Sequence, residues 1–408
     1  MILGIDIGTT TIGWCVSQNK TELHSGTVDN PCKVDVCALH YIQDADVIYE
    51  CVKNLIDRLI TSYNIEKISF STQMHGIVIC DKAGQAISPF YTWQDKSGEK
   101  YTDQTSIPTG YGLATLYALI KEKSIPDKAY RISTIADYVL MRLVGTNEPI
   151  IHTSNAASFG LFDLENDNFE KEKCNKLGID SSLLPKVVNH KTVIGEYDSI
   201  PCFVSIGDNQ ASVLACLGGT PGGVCLNFGT GSQISYISQT PVYSPTTENR
   251  PYINNLYLNC ASALCGGRAY AILKSFFEKY DESKTESEIY EKLNYFALKG
   301  INSPLNIDTR FAGTRHNPKL TGKISNINTS NFTPANLCAG ILYGMAYELY
   351  DYYKDMGKPE YTKIVASGGV VKKCEAFREI LKRVFETDIE ICSVKQEAAF
   401  GATLFLQD

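Results

Sequence analysis

Two short segments, Gly8-Thr9-Thr10-Thr11 and Gly229-Thr230-Gly231-Ser232, combine glycine with small hydroxyl residues. Glycine lets a backbone approach a ligand closely, and the neighbouring N–H and hydroxyl groups converge as donors, which is what a phosphate group requires. Neither segment fits G-x-x-x-x-G-K-[ST], and neither fits G-x-G-x-x-G opening a helix. Each alone also suits an ordinary hairpin turn. The recurrence of the pattern at half-chain spacing is what favours phosphate binding. Asp6, just ahead of Gly8, is placed to hold Mg2+ directly or through water, or else to cap the turn.

Asp208 follows an apolar stretch and precedes a helical one. At the carboxyl end of a strand it would face a crevice where α/β proteins bind ligands. A carboxylate there can accept the proton of an attacking hydroxyl. The same residue type equally suits a helix N-cap. Gln73 and His75 lie at another strand end, and Trp93 and Asp95 follow after a turn. Together they suit a polyol: amide and carboxylate bond vicinal hydroxyls, and an indole covers the apolar face of a sugar. The competing readings are a core tryptophan and a histidine with purely structural bonds. Gly368-Gly369 ends a strand ahead of a helix, where a backbone can lie flat against a ligand or simply turn.

These residues need elements to position them. Met1–Ile7, Ile12–Ser17, Lys67–Ser71 and Ile77–Cys80 read as strands, as do Phe203–Ile206, Val224–Phe228 and Lys363–Ala366. Helices are expected at Asp44–Tyr63, Leu113–Lys123, Ile135–Leu143, Ala211–Leu217, Ala269–Tyr280, Glu286–Ala297, Pro334–Tyr353 and Glu375–Phe385. In the first of these, Val47, Cys51, Leu55, Leu59 and Ile60 recur at helical spacing and predict its buried face. Helices alternating with strands predict an α/β fold. The chain also echoes itself: Leu3–Thr11 resembles Val224–Ser232, and Lys67-Ile68 with Ser71 resembles Lys363-Ile364 with Ser367. The period is too long for a solenoid, so two copies of one domain are expected.

The 408 residues suffice for two domains with their own cores. A net charge of −7 argues against a nucleic-acid footprint. The 14 cysteines are scattered without a CxxC pair and read as reduced thiols of a cytoplasmic protein. No secretory leader is expected, and no apolar run approaches the length needed to span a bilayer.

Taken together the motifs resemble the FGGY family of carbohydrate kinases, within the actin-like ATPase superfamily. Asp6, Gly8, Thr9 and Thr10 match its first phosphate loop. Gln73-Met74-His75-Gly76 resembles its sugar-binding Q-M-H-G, and Trp93-Gln94-Asp95 its W-Q-D. Gly207-Asp208-Asn209-Gln210 resembles the segment carrying the catalytic base. Gly229–Ser232 resembles the second phosphate loop, Phe311–Arg315 the F-x-G-x-R stretch, Gly368-Gly369 the adenosine G-G, and Ala399–Ala402 the closing A-x-G-A. Thr109–Thr115, Ile135–Tyr138 and Ser154–Gly160 resemble segments of the sedoheptulose-specific members. The departures are Thr72 before the Q-M-H-G, Lys96-Ser97 after the W-Q-D, Ser367 before the G-G, Lys373 where glycerol kinases place an asparagine, and a shorter chain.

The resemblance implies two actin-like (ribonuclease H-like) domains, 1–203 binding sugar and 204–408 binding nucleotide, facing an interdomain cleft. It implies ATP and Mg2+ as cofactors, with Asp6 at the metal and Gly8, Thr9, Thr10, Gly229, Thr230, Gly231, Ser232, Gly368 and Gly369 around the nucleotide. Gln73, His75, Trp93, Asp95 and Asn209 would contact a ketose, sedoheptulose first, and Asp208 would be its general base. The alternatives are a kinase for xylulose or another ketose or polyol, or a non-catalytic nucleotide-dependent sensor or scaffold. The expected partners are sugar and ATP, without nucleic acid or membrane, and with a homodimer as a compatible assembly.

Overall fold

The structure is a computed structural model, and it describes every residue except His316, Pro318 and Asp408. The chain forms two compact units, one of Met1–Gly219, Arg250–Asn255 and Val394–Asp408, the other of Thr220–Asn249 and Leu256–Ser393. The division after Gly219 falls later than the 203/204 boundary read from sequence. The helix Asp208–Leu217 lies against the helix Glu397–Phe405 of the same unit. Their approach is close enough that a Cβ on Gly401 would sit 1.8 Å from the Ala211 carbonyl oxygen.

In the first unit, β1 (Ile2–Ile7), β2 (Thr11–Gln18) and β3 (Thr21–Asp29) form an antiparallel meander. β4 (Lys67–Thr72) adds parallel to β1, and β5 (Ile200–Phe203) and the short β6 (Ile206–Gly207) add parallel to β4. In the second unit, β7 (Gly223–Phe228), β8 (Ser232–Ser238) and β9 (Tyr257–Ala263) form the same meander. β10 (Lys363–Ser367) adds parallel to β7, and β11 (Glu390–Ile391) parallel to β10. The two sheets share one strand order, so the echo in sequence is an echo in fold.

It extends to single residues. Asp6 is paired with Ser71 across β1 and β4, and Ser71 Oγ donates to Asp6 Oδ1 at 2.7 Å. Asn227 is paired with Ser367 across β7 and β10, and Asn227 Nδ2 donates to Ser367 Oγ at 2.9 Å. The faint resemblance of Lys67–Ser71 to Lys363–Ser367 is therefore the parallel strand of each copy.

The central strands are apolar because both faces are covered. Leu3, Ile5 and Ile7 pack with Ile48, Val52, Leu55, Ile56 and Leu59 of the helix Ala45–Ser62. That helix is capped by Asp44, whose carboxylate accepts from the N–H groups of Asp46 and Val47. Its buried stripe keeps the predicted Leu55 and Leu59, but Ile48, Val52 and Ile56 are buried where the prediction had Val47, Cys51 and Ile60, and Val47 is exposed. Both stripes fit a 3.6-residue period, and the sheet selects the one rich in β-branched and leucine side chains. The second core gathers Val224, Leu226 and Phe228 with Phe377, Ile380 and Leu381 of the helix Glu375–Phe385.

Candidate active site

In the first unit the turn after β1 is tight. Gly8 N–H donates to Thr11 O at 3.1 Å, and a Cβ on Gly8 would lie 2.8 Å from that oxygen. Buried Asn30, which sequence reading did not single out, clamps the turn: its N–H donates to Thr10 O at 2.9 Å and its Nδ2 to Gly8 O at 3.1 Å.

Thr9 joins this loop to Gln73 and Trp93. Thr9 Oγ1 donates to Gln73 Oε1 at 2.9 Å and accepts from Trp93 Nε1 at 3.1 Å. Gln43, a second residue missed in sequence, donates to Thr9 O at 3.0 Å and accepts from Gln73 Nε2. The indole of Trp93 is 48% exposed, so its face is open to a ligand. Asp95 is not: it is fully buried, and its carboxylate takes His40 Nδ1 at 3.0 Å, Thr115 Oγ1 at 3.2 Å, and the N–H and hydroxyl of Ser97. Those bonds pin the turn that carries Trp93 and leave no oxygen for a hydroxyl ligand.

The segment Thr109–Gly112 explains its glycines here. A Cβ on Gly110 would lie 2.3 Å from Trp93 O, and one on Gly112 2.9 Å from His75 O. Tyr111, between them, lays its ring 4.3 Å from that of His75. His75 adopts φ +75°, a strained left-handed conformation for a histidine. It is held by Ser158, which accepts from His75 N–H at 3.0 Å and pairs with its Nδ1 at 2.8 Å through the backbone carbonyl. A carbonyl partner fixes the proton on Nδ1 and gives Nε2 the lone pair.

Ser158 ends a buried chain of hydrogen bonds. Ser158 Oγ donates to Asn155 O at 2.7 Å, Asn155 Nδ2 to Ser205 Oγ at 3.0 Å, and Ser205 Oγ to Asp137 Oδ1 at 2.7 Å. Thr134 Oγ1 donates to the other oxygen of Asp137 at 2.8 Å. The chain thus ties the backbone of His75 to the strand entry just before Asp208. Burial pushes the Asp137 carboxyl up to about 7, against the lowering bonds from Ser205 and Thr134.

A carboxyl whose folded value lies above its unfolded value near 4 binds more protons in the folded state between the two. Asp137 therefore contributes stability at acid pH that is lost as pH rises through about 7. The expected result is that Asp137→Asn, which keeps the neutral shape, gains on the wild type by on the order of 1 kcal/mol per pH unit from pH 5 to 7. Urea unfolding at stepped pH reads this difference directly. A pH-independent difference would refute the assignment.

Asp208 opens the helix Asp208–Leu217 at its first position, with Gly207 as the N-cap. The cap reading of Asp208 is thereby corrected, since the cap residue is the one before it. Burial, then the charge of Asp6, pushes the Asp208 carboxyl up to about 7, partly offset by the Asn209 N–H and by Arg250. Burial raises Asp6 to about 6, partly offset by the Ser71 hydroxyl. Asn209 Oδ1 accepts from Arg250 Nη1 at 2.9 Å, and Arg250 is a further residue that sequence reading did not assign. Two half-buried carboxylates, one raising the other's cost of ionisation, suit a divalent cation. Among the described residues no cluster of three or more His, Cys, Asp or Glu has metal-holding geometry.

The second unit holds a cavity of about 680 Å³. Gly229, Thr230 and Gly369 line it, joined by Arg268, Tyr270, Tyr290, Asn294 and Lys373 among others. A Cβ on Gly369 would meet nothing within 4 Å, so its backbone faces open space. Gly231, Ser232 and Gly368 lie behind this lining. Gly368, at φ +104°, would bring a Cβ to 2.2 Å from Phe228 O, so its role is to let the strand end pass that backbone. Ser232 Oγ is buried without a hydrogen-bond partner. The loop rests on Gly266 and Gly267: Gly267 N–H donates to Gly229 O at 2.9 Å and Arg268 N–H to Thr230 O at 3.0 Å. Also in the lining, Tyr270 Oη donates to Asn294 Oδ1 at 2.8 Å, and Asn294 Nδ2 to Lys373 O at 3.4 Å. A backbone cradle together with aromatic side chains in one lining fits a nucleotide.

The family comparison decides the class. Residues 1–221 match the N-terminal domain of the FGGY family of carbohydrate kinases, and residues 224–406 match its C-terminal domain. The chain belongs to the FGGY family. As an FGGY carbohydrate kinase it is an ATP-dependent sugar kinase. It is 26% identical to sedoheptulokinase of Mus musculus over 467 aligned residues, covering 99% of this chain and 96% of that protein. It is also 26% identical to sedoheptulokinase of Homo sapiens, with the same coverage. Among solved structures, the fold matches a ligand-bound xylulose kinase of Lactobacillus acidophilus with TM-score 0.88 at 19% identity, covering 100% of this chain and 88% of that one. Among the described residues of this FGGY kinase, no helix is long and apolar enough to cross a membrane, and all 14 cysteines are free.

Proposed function

We propose that this FGGY kinase transfers the γ-phosphoryl group of ATP to a terminal hydroxyl of a ketose, with Asp208 as general base and sedoheptulose as the preferred acceptor. The observation that carries the base assignment is a half-buried carboxylate following β6, pushed up to about 7 by desolvation and by the charge of Asp6. A base works best when its affinity for protons is matched to the working pH. Asp208 takes the hydroxyl proton as the oxygen attacks. Asp6, directly or through water, would hold Mg2+, which neutralises the charge on the transferring phosphoryl group. Phosphates are received by the backbone of Gly229 and Thr230, and Gly8–Thr10 offers a like set of donors in the first unit. Gln73, His75 through Nε2, Trp93 and Asn209 meet the sugar. Asp95 acts at one remove, by holding the Trp93 turn.

Sedoheptulose is favoured by the full-length likeness to the two sedoheptulokinases. It is also favoured by the segments Thr109–Thr115 and Ser154–Gly160, which prove to frame Trp93 and His75. ADP release measured across three- to seven-carbon ketoses and polyols tests the choice. A clear preference for xylulose would overturn it and leave the kinase chemistry in place.

With the best acceptor in hand, Trp93→Ala removes the exposed indole that covers the apolar face of the sugar. Its KM for sugar is expected to rise by about 10- to 100-fold, the value of a stacked aromatic face with its buried area. The KM for ATP should change much less, because Trp93 does not line the cavity of Gly229, Thr230 and Gly369 and touches the first loop only through its bond to Thr9 Oγ1. Steady-state kinetics in both substrates separate the two.

A further inference from the structure

Phosphoryl transfer needs positive charge placed against the phosphate oxygens. Neither glycine–threonine loop brings a cationic side chain: residues 1–19 and 220–249 contain no Lys or Arg. In the cavity of the second unit, the cationic residues of the lining are Arg268 and Lys373. The carbonyl of Lys373 accepts from Asn294, itself bonded by Tyr270, and among the described residues no bond ties Lys373 to the loop. Arg268 belongs to the loop end. Its N–H is bonded to Thr230 O at 3.0 Å, which anchors its backbone to the phosphate loop.

The position is set by the two glycines before it. A Cβ on Gly266 would lie 2.4 Å from the Gly231 carbonyl carbon, and one on Gly267 2.5 Å from Gly229 O. The chain thus runs flush against the loop until residue 268, which is the first with a side chain and is exposed. Among the described residues its guanidinium enters no ion pair with a carboxylate. A guanidinium with a free donor fork beside backbone donors is the arrangement that grips phosphate in two points.

We infer that Arg268 is a ligand of the nucleotide phosphates and supplies the cation that the two loops lack, a catalytic residue contributed by the helix Gly267–Tyr280. The inference rests on the reading of this cavity as the nucleotide site. The experiment titrates adenosine, AMP, ADP and ATP into the full chain as wild type, Arg268→Gln and Arg268→Lys, by calorimetry, with circular dichroism as the folding control. In Arg268→Gln the dissociation constants for ADP and ATP are expected to rise by about tenfold or more, the worth of a charged hydrogen bond, while that for adenosine stays unchanged. Arg268→Lys is expected to fall between, because the charge remains and the fork is lost. The salt dependence of ATP binding should flatten in Arg268→Gln alone. An equal loss for adenosine and ATP, or no loss for ATP, would overturn the role of Arg268. A wild type that binds neither adenosine nor ATP would remove the nucleotide reading of the cavity itself, and the inference with it.

Discussion

Asp208→Asn is expected to lower kcat by about 10²- to 10⁴-fold, the range for removing a positioned general base. The amide keeps the shape of the carboxyl and cannot accept the proton. ATP affinity should hold, since Asp208 is not among the residues that line the cavity of Gly229, Thr230 and Gly369. Folding should hold as well. Burial and the neighbouring Asp6 charge already penalise the ionised form of Asp208, so a neutral side chain relieves rather than creates a buried unpaired charge. The variant is expected to melt at or above the wild-type temperature at pH 8. Single-turnover ADP formation with saturating sugar, beside a melting curve, checks both halves. A folded Asp208→Asn enzyme with near-wild-type turnover would remove the base assignment without touching the family or the fold.

Gly266→Ala is the second large effect. The added carbon would lie 2.4 Å from Gly231 C, 2.5 Å from Gly231 O and 2.5 Å from Ser232 N. All three are backbone atoms of the second phosphate loop, so no flexible side chain can yield. Gly266 is the residue just before the helix Gly267–Tyr280. The loop or the helix start must move. Overpacking of this kind costs about 1–3 kcal/mol, and a displaced loop loses its aligned donors. ATP affinity is expected to fall by about 10- to 100-fold, at about 1.4 kcal/mol per tenfold, with a lower melting temperature. Sugar contacts in the first unit should survive. Calorimetric titration with ATP and ADP measures the loss, and unchanged affinity would show that the loop does not depend on Gly266.

Much of this was legible because the chemistry is local. A phosphate turn needs glycine and hydroxyl residues in consecutive positions, and the strand before it must be apolar, so Asp6–Thr11 and Asn227–Ser232 declare themselves within a few residues. The helix Glu375–Phe385 was bounded to the residue because its amphipathic pattern is strong. The helix Asp208–Leu217 was placed three residues late, since polar Asp208, Asn209 and Gln210 hide its first turn from a hydrophobic reading. The antiparallel strands Thr21–Asp29 and Tyr257–Ala263 also escaped, because their polar faces weaken the apolar signal.

The residues missed were those whose role depends on a distant partner. Asn30, Gln43, Arg250 and Arg268 carry no motif, and nothing in their neighbours sets them apart. Only folding brings Asn30 under Gly8, Gln43 to Thr9, and Arg250 to Asn209. Asp95 is the converse case. Its place beside Trp93 marks it as a ligand in sequence, but His40, Ser97 and Thr115 surround it in the fold and consume both oxygens.

By itself, then, the sequence determined the duplicated α/β architecture and the two glycine–threonine turns, since each rests on short-range pattern or on a backbone turn, and its resemblance to a kinase family indicated the class of chemistry. The tertiary structure alone decided which polar residues are free to meet a ligand, because a side chain's availability depends on what packs against it from elsewhere in the chain. It also decided the proton affinities of Asp6, Asp137 and Asp208, because burial and the charge of a neighbour 202 positions away act through space.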